Sequence, residues 1–597
     1  TAEGVDMRKL LVGLLAVCGG LSILFVLLVF AISLSMRTST GGVPPKTILE
    51  ANFETGLIED VPDDPVAKAL LSRITVVRDV VDALERASRD DRVAGLVARL
   101  GGSGMGMAQA QEIRGAVRNF RAHKKFAVAF SETFGEFGPG NGSYYLATAF
   151  DEVWLQPSGD VGLTGLIMET QFFRGTLDKL GAVPRLDHRY EYKSAKNVLT
   201  EKKYTAAHRE ANEAVIQSWF SQMVRGISEG RGIPEDRVRA LVDRGPFLGQ
   251  EAVDAKLVDG LAYRDEVYEK AKQKAGQDAE LLSLGQYLER AGRPHSSGKT
   301  IALIYGVGGV QRGRSGFDPL FGDLTMGSDT VAAAFRAAVK SPSVKAILFR
   351  VDSPGGSYVA SDAIWRETVL AKKAGKPVIV SMGNLAGSGG YFVAMAADKI
   401  VAQPGTITGS IGVLGGKVLT TGAWDKIGVS WDEVHAGNHA RIWSSTSDYS
   451  PGERKRFEAA LDRIYADFTS KVAENRRLPK ERVLEIARGR IWTGEDAKRL
   501  GLVDELGGFS TALKLARQAA GIPDTEGVRI VVFPRKKTTF EAFMDLLSGR
   551  QSEPGENSAS TALLTRTLEL IQPIARQVRS AVAARGVLSM PEFTTAH

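Results

Sequence analysis

The sequence predicts an α/β protein in which two related units follow one another behind an N-terminal membrane segment. Three observations carry this expectation. Similar segments recur at a spacing of roughly 250 residues. Short β-branched runs alternate with Ala-rich helical stretches. One long apolar run opens the chain.

The apolar run, Leu10 to Leu34 (LLVGLLAVCGGLSILFVLLVFAISL), has 25 residues without a charge. At about 1.5 Å per residue it is long enough to span a bilayer as a helix. A cleaved signal peptide has a shorter apolar core and a small-residue cleavage site, for which Ser33-Leu34-Ser35 is a poor match, so an uncleaved anchor is the expectation. Residues 1–9 form a short N-terminal segment, in which Met7-Arg8-Lys9 reads as a native start with a basic region. Arg8 and Lys9 are balanced by Arg37 and Lys46, so charge only leans toward an N-terminus inside. Residues 35–45 read as a linker, rich in Gly, Pro and Thr.

The repeat organises the body of the chain. Lys46-Thr47-Ile48 recurs as Lys299-Thr300-Ile301, and Arg92 to Leu100 (RVAGLVARL) as Ser343 to Val351 (SVKAILFRV). Asp151 to Leu166 matches Asp398 to Val413 at five of sixteen positions, and Gly249 to Leu261 matches Gly494 to Leu506 at six of thirteen. Average composition would give about one match in either window. Runs such as IALIYGV, AILFRV and PVIVSM read as strands, and Thr330 to Lys340 as a helix. The junction Glu289 to Gly298 is polar and rich in Gly, Ser and Pro, which sets one domain at 46–290 and a second at 296–535. Residues 536–597 are a tail, with a connector of disordered composition at 551–560 and an amphipathic helix around 562–584.

Composition narrows the function. The chain has 597 residues, 44% hydrophobic and 24% charged, with a net charge of +7 and no block of like charges, so neither a polytopic membrane protein nor a nucleic-acid arm fits. Its single cysteine, Cys18, excludes an intrachain disulfide and Cys-rich metal sites. No phosphate-binding G-x-x-x-x-G-K-[ST] occurs in the Gly-rich runs, and His435 and His439 stand four apart without the glutamate of a zinc motif. No cofactor, metal or nucleic acid is therefore expected.

Reactive groups are sought where one half differs from the other. Gly387-Ser388-Gly389-Gly390-Tyr391 follows a strand and precedes an Ala-rich helix, where the first half has Gly140-Asn141-Gly142-Ser143-Tyr144. A serine on such a turn presents Oγ at a helix N-terminus, near backbone N–H groups able to stabilise an oxyanion. Ala386 takes the place of the first glycine of G-x-S-x-G, so this is not the α/β-hydrolase elbow. Val351 to Ser357 (VDSPGGS) reads as a flexible Gly-Gly turn at a strand end, a second source of bare N–H groups. Tyr192-Lys193-Ser194-Ala195 stands where the other half has His439-Ala440-Arg441. A Ser/His/Asp triad through His435 is disfavoured because His188 occupies the matching place in the half without the serine, which points to a structural role.

SPGG, then GSGGY, then TGSIG, with YKSA in the preceding half, closely resembles the long, duplicated form of the signal peptide peptidase A (protease IV) family. The resemblance covers residues 46 to 535 and includes the anchor. It implies two tandem crotonase/Clp-protease-like domains, and a serine endopeptidase with a Ser/Lys dyad. By it, Ser388 is the nucleophile, Lys193 the general base and Ser410 the group that holds the lysine, while Gly389 with Gly355 or Gly356 forms the oxyanion hole. Gly387 and Asp352 stand where the family often has alanine and asparagine. The implied partners are hydrophobic unfolded peptides such as released signal peptides, the lipid bilayer, and further copies of the chain, up to a tetramer. The implied location is the bacterial inner membrane, single-pass, with the catalytic body on the periplasmic side. Two other readings share the composition: a crotonase-like acyl-CoA hydratase or hydrolase, and an inactive membrane scaffold. A lysine at its ordinary pKa of about 10.4 is almost wholly protonated at pH 7, so a lysine base needs a dry site, which sequence cannot supply.

Overall fold

The computed structural model describes residues 41–63, 65–71, 74–102, 104–318, 322–535 and 587–589. The anchor expected at 10–34, the connector at 551–560 and the helix at 562–584 lie outside them. Among the described residues no helix is long and apolar enough to cross a membrane.

Each half is built on a parallel sheet of the same strand order. In the first half the order is Gly260–Leu261, Glu152–Leu155, Phe126–Ser131, Val93–Leu100, Thr47–Asn52 and Glu280–Ser283. In the second, Glu505–Leu506, Lys399–Ala402, Val378–Gly387, Val344–Ser353, Lys299–Val307 and Val528–Phe533 pair in that sequence. The repeated segments predict several of these strands, among them Val93–Leu100, Val344–Ser353 and Lys299–Val307, while Glu280–Ser283 and Val528–Phe533 lie outside them. The crossover helices correspond as well: Val77–Ser88 with Ser328–Lys340, and Met107–Ala122 with Tyr358–Lys373.

Parallel sheets form with both faces covered, so their strands carry apolar residues on both sides. Along Thr47–Asn52, Ile48 joins the core on one face with Val97, Val128 and Phe130, while Leu49 joins the core on the other with Leu96 and Ala129. Ile301 and Leu303 against Ala302 and Ile304 repeat the pattern in the second half. The repeat extends to single hydrogen bonds. Tyr144 Oη donates to the Leu257 carbonyl at 2.7 Å, and Tyr391 Oη to the Leu502 carbonyl at 2.9 Å.

The halves grip each other reciprocally. Each has a 26-residue helix, Ala206–Arg231 and Pro451–Arg476, started by a side-chain cap from Thr205 and Ser450. The first helix packs on the strand Ile491–Thr493 of the other half, and the second on the strand Val183–Arg189. There Ala211, Val215 and Trp219 close over Ile407 and Ile491, and Trp219 Nε1 donates to the Gly405 carbonyl at 2.9 Å. Val183–Arg189 also runs antiparallel along Val413–Leu419, a two-stranded sheet made of one strand from each half. That ribbon carries the segment after Arg189 into the second half.

One expectation is corrected here. The Gly-Gly segment is not a flexible turn, because Gly355–Ser357 is a short strand pairing with Gly309–Gln311 on one side and, antiparallel, with Val587–Ser589 on the other. Neighbouring strands supply the partners that the isolated sequence lacks.

Candidate active site

Ser388 ends the strand Val378–Gly387 and caps the helix Gly389–Ala394. Its backbone has φ 55° and ψ −113°, a conformation that costs a non-glycine residue on the order of 1–3 kcal/mol. Two bonds hold it: Ser388 N–H donates to the Gly409 carbonyl at 2.8 Å, and its own carbonyl accepts from Phe392 N–H at 2.8 Å. The side chain is fully buried. No Cβ fits at Gly389, where it would stand 2.7 Å from Ser361 Oγ and 2.9 Å from the Gly356 nitrogen. Glycine there brings the backbone that follows Ser388 against the Gly355–Ser357 strand.

Lys193 arrives from the other half. Its Nζ lies 2.7 Å from Ser388 Oγ, 3.0 Å from Ser410 Oγ and 3.0 Å from the Ser410 carbonyl. The side chain has no exposed surface, and burial holds its pKa well below the ordinary lysine range. The neighbours Glu191 and Lys196 do not wet the site: Glu191 turns outward to Arg488 at 2.7 Å, and Lys196 is half-buried. A neutral amine donates to the two Ser410 oxygens and keeps its lone pair for the Ser388 hydroxyl proton. Ser410 is itself held at φ 51°, with its N–H donating to the Arg490 carbonyl at 2.7 Å.

The structure therefore brings Ser388, Lys193 and Ser410 together within one chain, and sets Gly389 beside Gly356. Gly355 differs, since its N–H donates to Ser353 Oγ at 3.2 Å while Ser353 Oγ donates to the Gly308 carbonyl at 2.7 Å. Gly356 pairs in strand register with Val310 and with Leu588. The matching turn in the first half is closed on itself: Asn141 donates to the Gly165 carbonyl at 2.8 Å and accepts from Thr164 N–H at 3.1 Å.

One residue at the site, Gly489, escapes sequence reading, and another, His188, is read there only as structural. Gly489 lies so near Lys193 that a Cβ would come within 2.5 Å of the lysine Cβ. His188 donates from Nδ1 to the Lys193 carbonyl at 3.0 Å, and burial lowers its pKa. The pairing of His188 with His435 was the available signal, and it misled in part. His435 is exposed, 3.7 Å from Glu433, and shares nothing of the His188 environment. Among the described residues no group of three His, Cys, Asp or Glu side chains is placed to hold a metal.

A buried serine on a strained strand-to-helix turn, beside a desolvated amine and closely set backbone glycines, is the equipment of a serine peptidase. The chain belongs to peptidase family S49, whose model matches residues 131–278 and 370–523, once in each half. It is of the long, duplicated signal peptide peptidase A (protease 4) form. It is 32% identical over 476 residues to "Serine protease SPPA, chloroplastic" of Arabidopsis thaliana, covering 78% of this chain and 68% of that one. It is 32% identical to "Protease 4" of Salmonella typhi, covering 79% and 76%, and 33% identical to "Protease 4" of Haemophilus influenzae, covering 74% and 72%. Among solved structures, a ClpP1 mutant from Listeria monocytogenes matches 36% of this chain with a TM-score of 0.23, too low to define the fold.

Proposed function

We propose that this serine peptidase works through a Ser388/Lys193 dyad and cleaves hydrophobic, unfolded peptides, released signal peptides among them, from a membrane-anchored and oligomeric body. The observation that carries the reading is the 2.7 Å contact between Ser388 Oγ and the Nζ of a lysine with no exposed surface.

The chemistry is set by that contact. Neutral Lys193 takes the Ser388 proton as Oγ attacks the peptide carbonyl carbon, and the carbonyl oxygen becomes an oxyanion facing the N–H groups of Gly389 and Gly356. The C–N bond breaks as the Lys193 ammonium returns its proton to the leaving amine, which leaves an ester on Ser388. Lys193 then takes a proton from water as the hydroxide adds to the ester carbonyl, and returns it to Ser388 Oγ as the C–O bond breaks, so that the acid product departs and the neutral amine and serine hydroxyl are restored. Ser410 holds the amine in line throughout. The Gly355–Ser357 strand takes Val587–Ser589 as an antiparallel partner, the pairing an extended peptide would make in its place.

The test is hydrolysis of an unstructured leucine-rich peptide in mild detergent. Ser388→Ala and Lys193→Ala should each lose several orders of magnitude in kcat with the fold intact by circular dichroism. Turnover by Ser388→Ala equal to that of the unaltered protein would sink the dyad.

A further inference from the structure

Behind the site lies a buried polar cluster that the acyl-transfer steps do not use. Arg350, fully buried on the strand Val344–Ser353, donates from Nε and Nη2 to Glu59 at 2.8 and 3.1 Å. It also donates to Glu112 at 2.8 Å and to Ser381 Oγ at 2.8 Å. Glu59 accepts a further bond from Gln109 Nε2 at 3.1 Å, and Glu112 accepts one from Phe509 N–H at 2.6 Å. Glu59, Gln109 and Glu112 come from the first half, and Arg350, Ser381 and Phe509 from the second.

Two residues beyond Arg350 on the same face of the strand is Asp352. Its Oδ1 accepts from Leu385 N–H at 2.9 Å, at the point where the register between the two strands shifts. On one side of this bond Asp352 leads directly into Ser353, Gly355 and Gly356. On the other side Leu385 stands three residues before Ser388. A single carboxyl thus ties the strand carrying the oxyanion donors to the strand carrying the nucleophile.

We infer that Asp352 is a positioning residue for this site, whose carboxyl fixes the Leu385–Ser388 segment against the Ser353–Gly356 strand. This rests on the Ser388/Lys193 reading. The two neighbouring acids are held differently. Glu59 receives two guanidinium bonds and one amide bond, whereas Asp352 receives one backbone N–H. Both press on the same spot above Gly383, where a Cβ would lie 3.0 Å from the Asp352 Cγ and 3.2 Å from Glu59 Oε1. Among the described residues the guanidinium bonded in this cluster, that of Arg350, already serves two glutamates, so a third negative charge would have to share it. Tyr305 stands opposite Arg350 in the strand register, with Asp60 and Arg78 acting on it from the first half. Burial first, and the Glu59 carboxylate second, push the Asp352 carboxyl up to about 8. Above that, an anion would stand behind the strand that must face an oxyanion, and activity would fall.

The experiment is the pH profile of kcat/KM, and of Ser388 phosphonylation by a fluorophosphonate, for the full chain in detergent. The expected result is an alkaline limb that Asp352→Asn abolishes while the acid limb, set by Lys193, stays in place. Asp352→Ala, which loses the Leu385 bond, should lower kcat about 10- to 100-fold at every pH. Glu59→Gln removes the carboxylate that opposes Asp352 ionisation and should move the alkaline limb to lower pH. An alkaline limb unchanged in both Asp352→Asn and Glu59→Gln, or no limb at all, would overturn the inference even if Asp352→Ala failed to fold. If Ser388→Ala retained turnover, the dyad itself would have failed, a separable outcome.

Discussion

Gly489 and Lys193 meet so closely that the glycine's missing side chain sets the lysine's position: a Cβ at 489 would stand 2.5 Å from both the Lys193 Cβ and its backbone nitrogen. Gly489 also has φ +82°, a conformation L side chains rarely adopt, and its N–H donates to the Ile411 carbonyl at 2.8 Å, next to Ser410. Gly489→Ala is expected to displace Lys193 from Ser388 and cut kcat by about 100-fold or more, since a misplacement of about 1 Å costs that much. KM should change little. Steady-state kinetics on a leucine-rich peptide would check this, and unaltered kcat would show that the loop yields instead.

The burial of Lys193 makes stability depend on pH with a definite sign. The folded state holds the amine neutral at pH values where the unfolded chain still binds a proton, so this residue lowers stability at neutral pH and ceases to do so as pH rises toward about 10. Lys193→Met, tested beside the unaltered chain, should show a melting-temperature difference that is most favourable to the variant near pH 7 and shrinks toward pH 10. A difference that is flat with pH would mean that the amine is charged in the folded protein.

Trp219 is the largest apolar side chain at the contact between its helix and the other half, and it also bonds the Gly405 carbonyl. Trp219→Ala is expected to cost about 3–5 kcal/mol at that contact. Because Lys193 and Ser388 come from opposite halves, the variant should lose activity at temperatures where circular dichroism still reports folded halves. Activity and ellipticity melting together would argue that the contact is not the weaker unit.

Particular elements mark where sequence reading stops. Strands such as Val344–Ser353 and Thr47–Asn52 announce themselves because β-branched runs and their periodicity are local properties, and duplication doubles the signal. Gly355–Ser357 was legible only as a turn, since its strand character comes from Gly309–Gln311 and Val587–Ser589, which are distant in sequence. Gly489 carries no local mark at all. His188 and His435 occupy matching places in the repeat, yet one is bonded to the Lys193 backbone and the other faces solvent.

Local sequence was enough to define the two α/β units, their correspondence through repetition, and the short motifs around residues 193, 355, 388 and 410. These depend on composition, period and glycine placement within a few residues. Tertiary packing alone settled that Lys193 Nζ sits 2.7 Å from Ser388 Oγ in the same chain, that the lysine is fully buried, and that Asp352 accepts from Leu385 N–H. The reason is physical. The protonation state of a lysine or an aspartate is set by how many atoms exclude water from it and which charges face it, and here many of those atoms are supplied by the other half of the molecule.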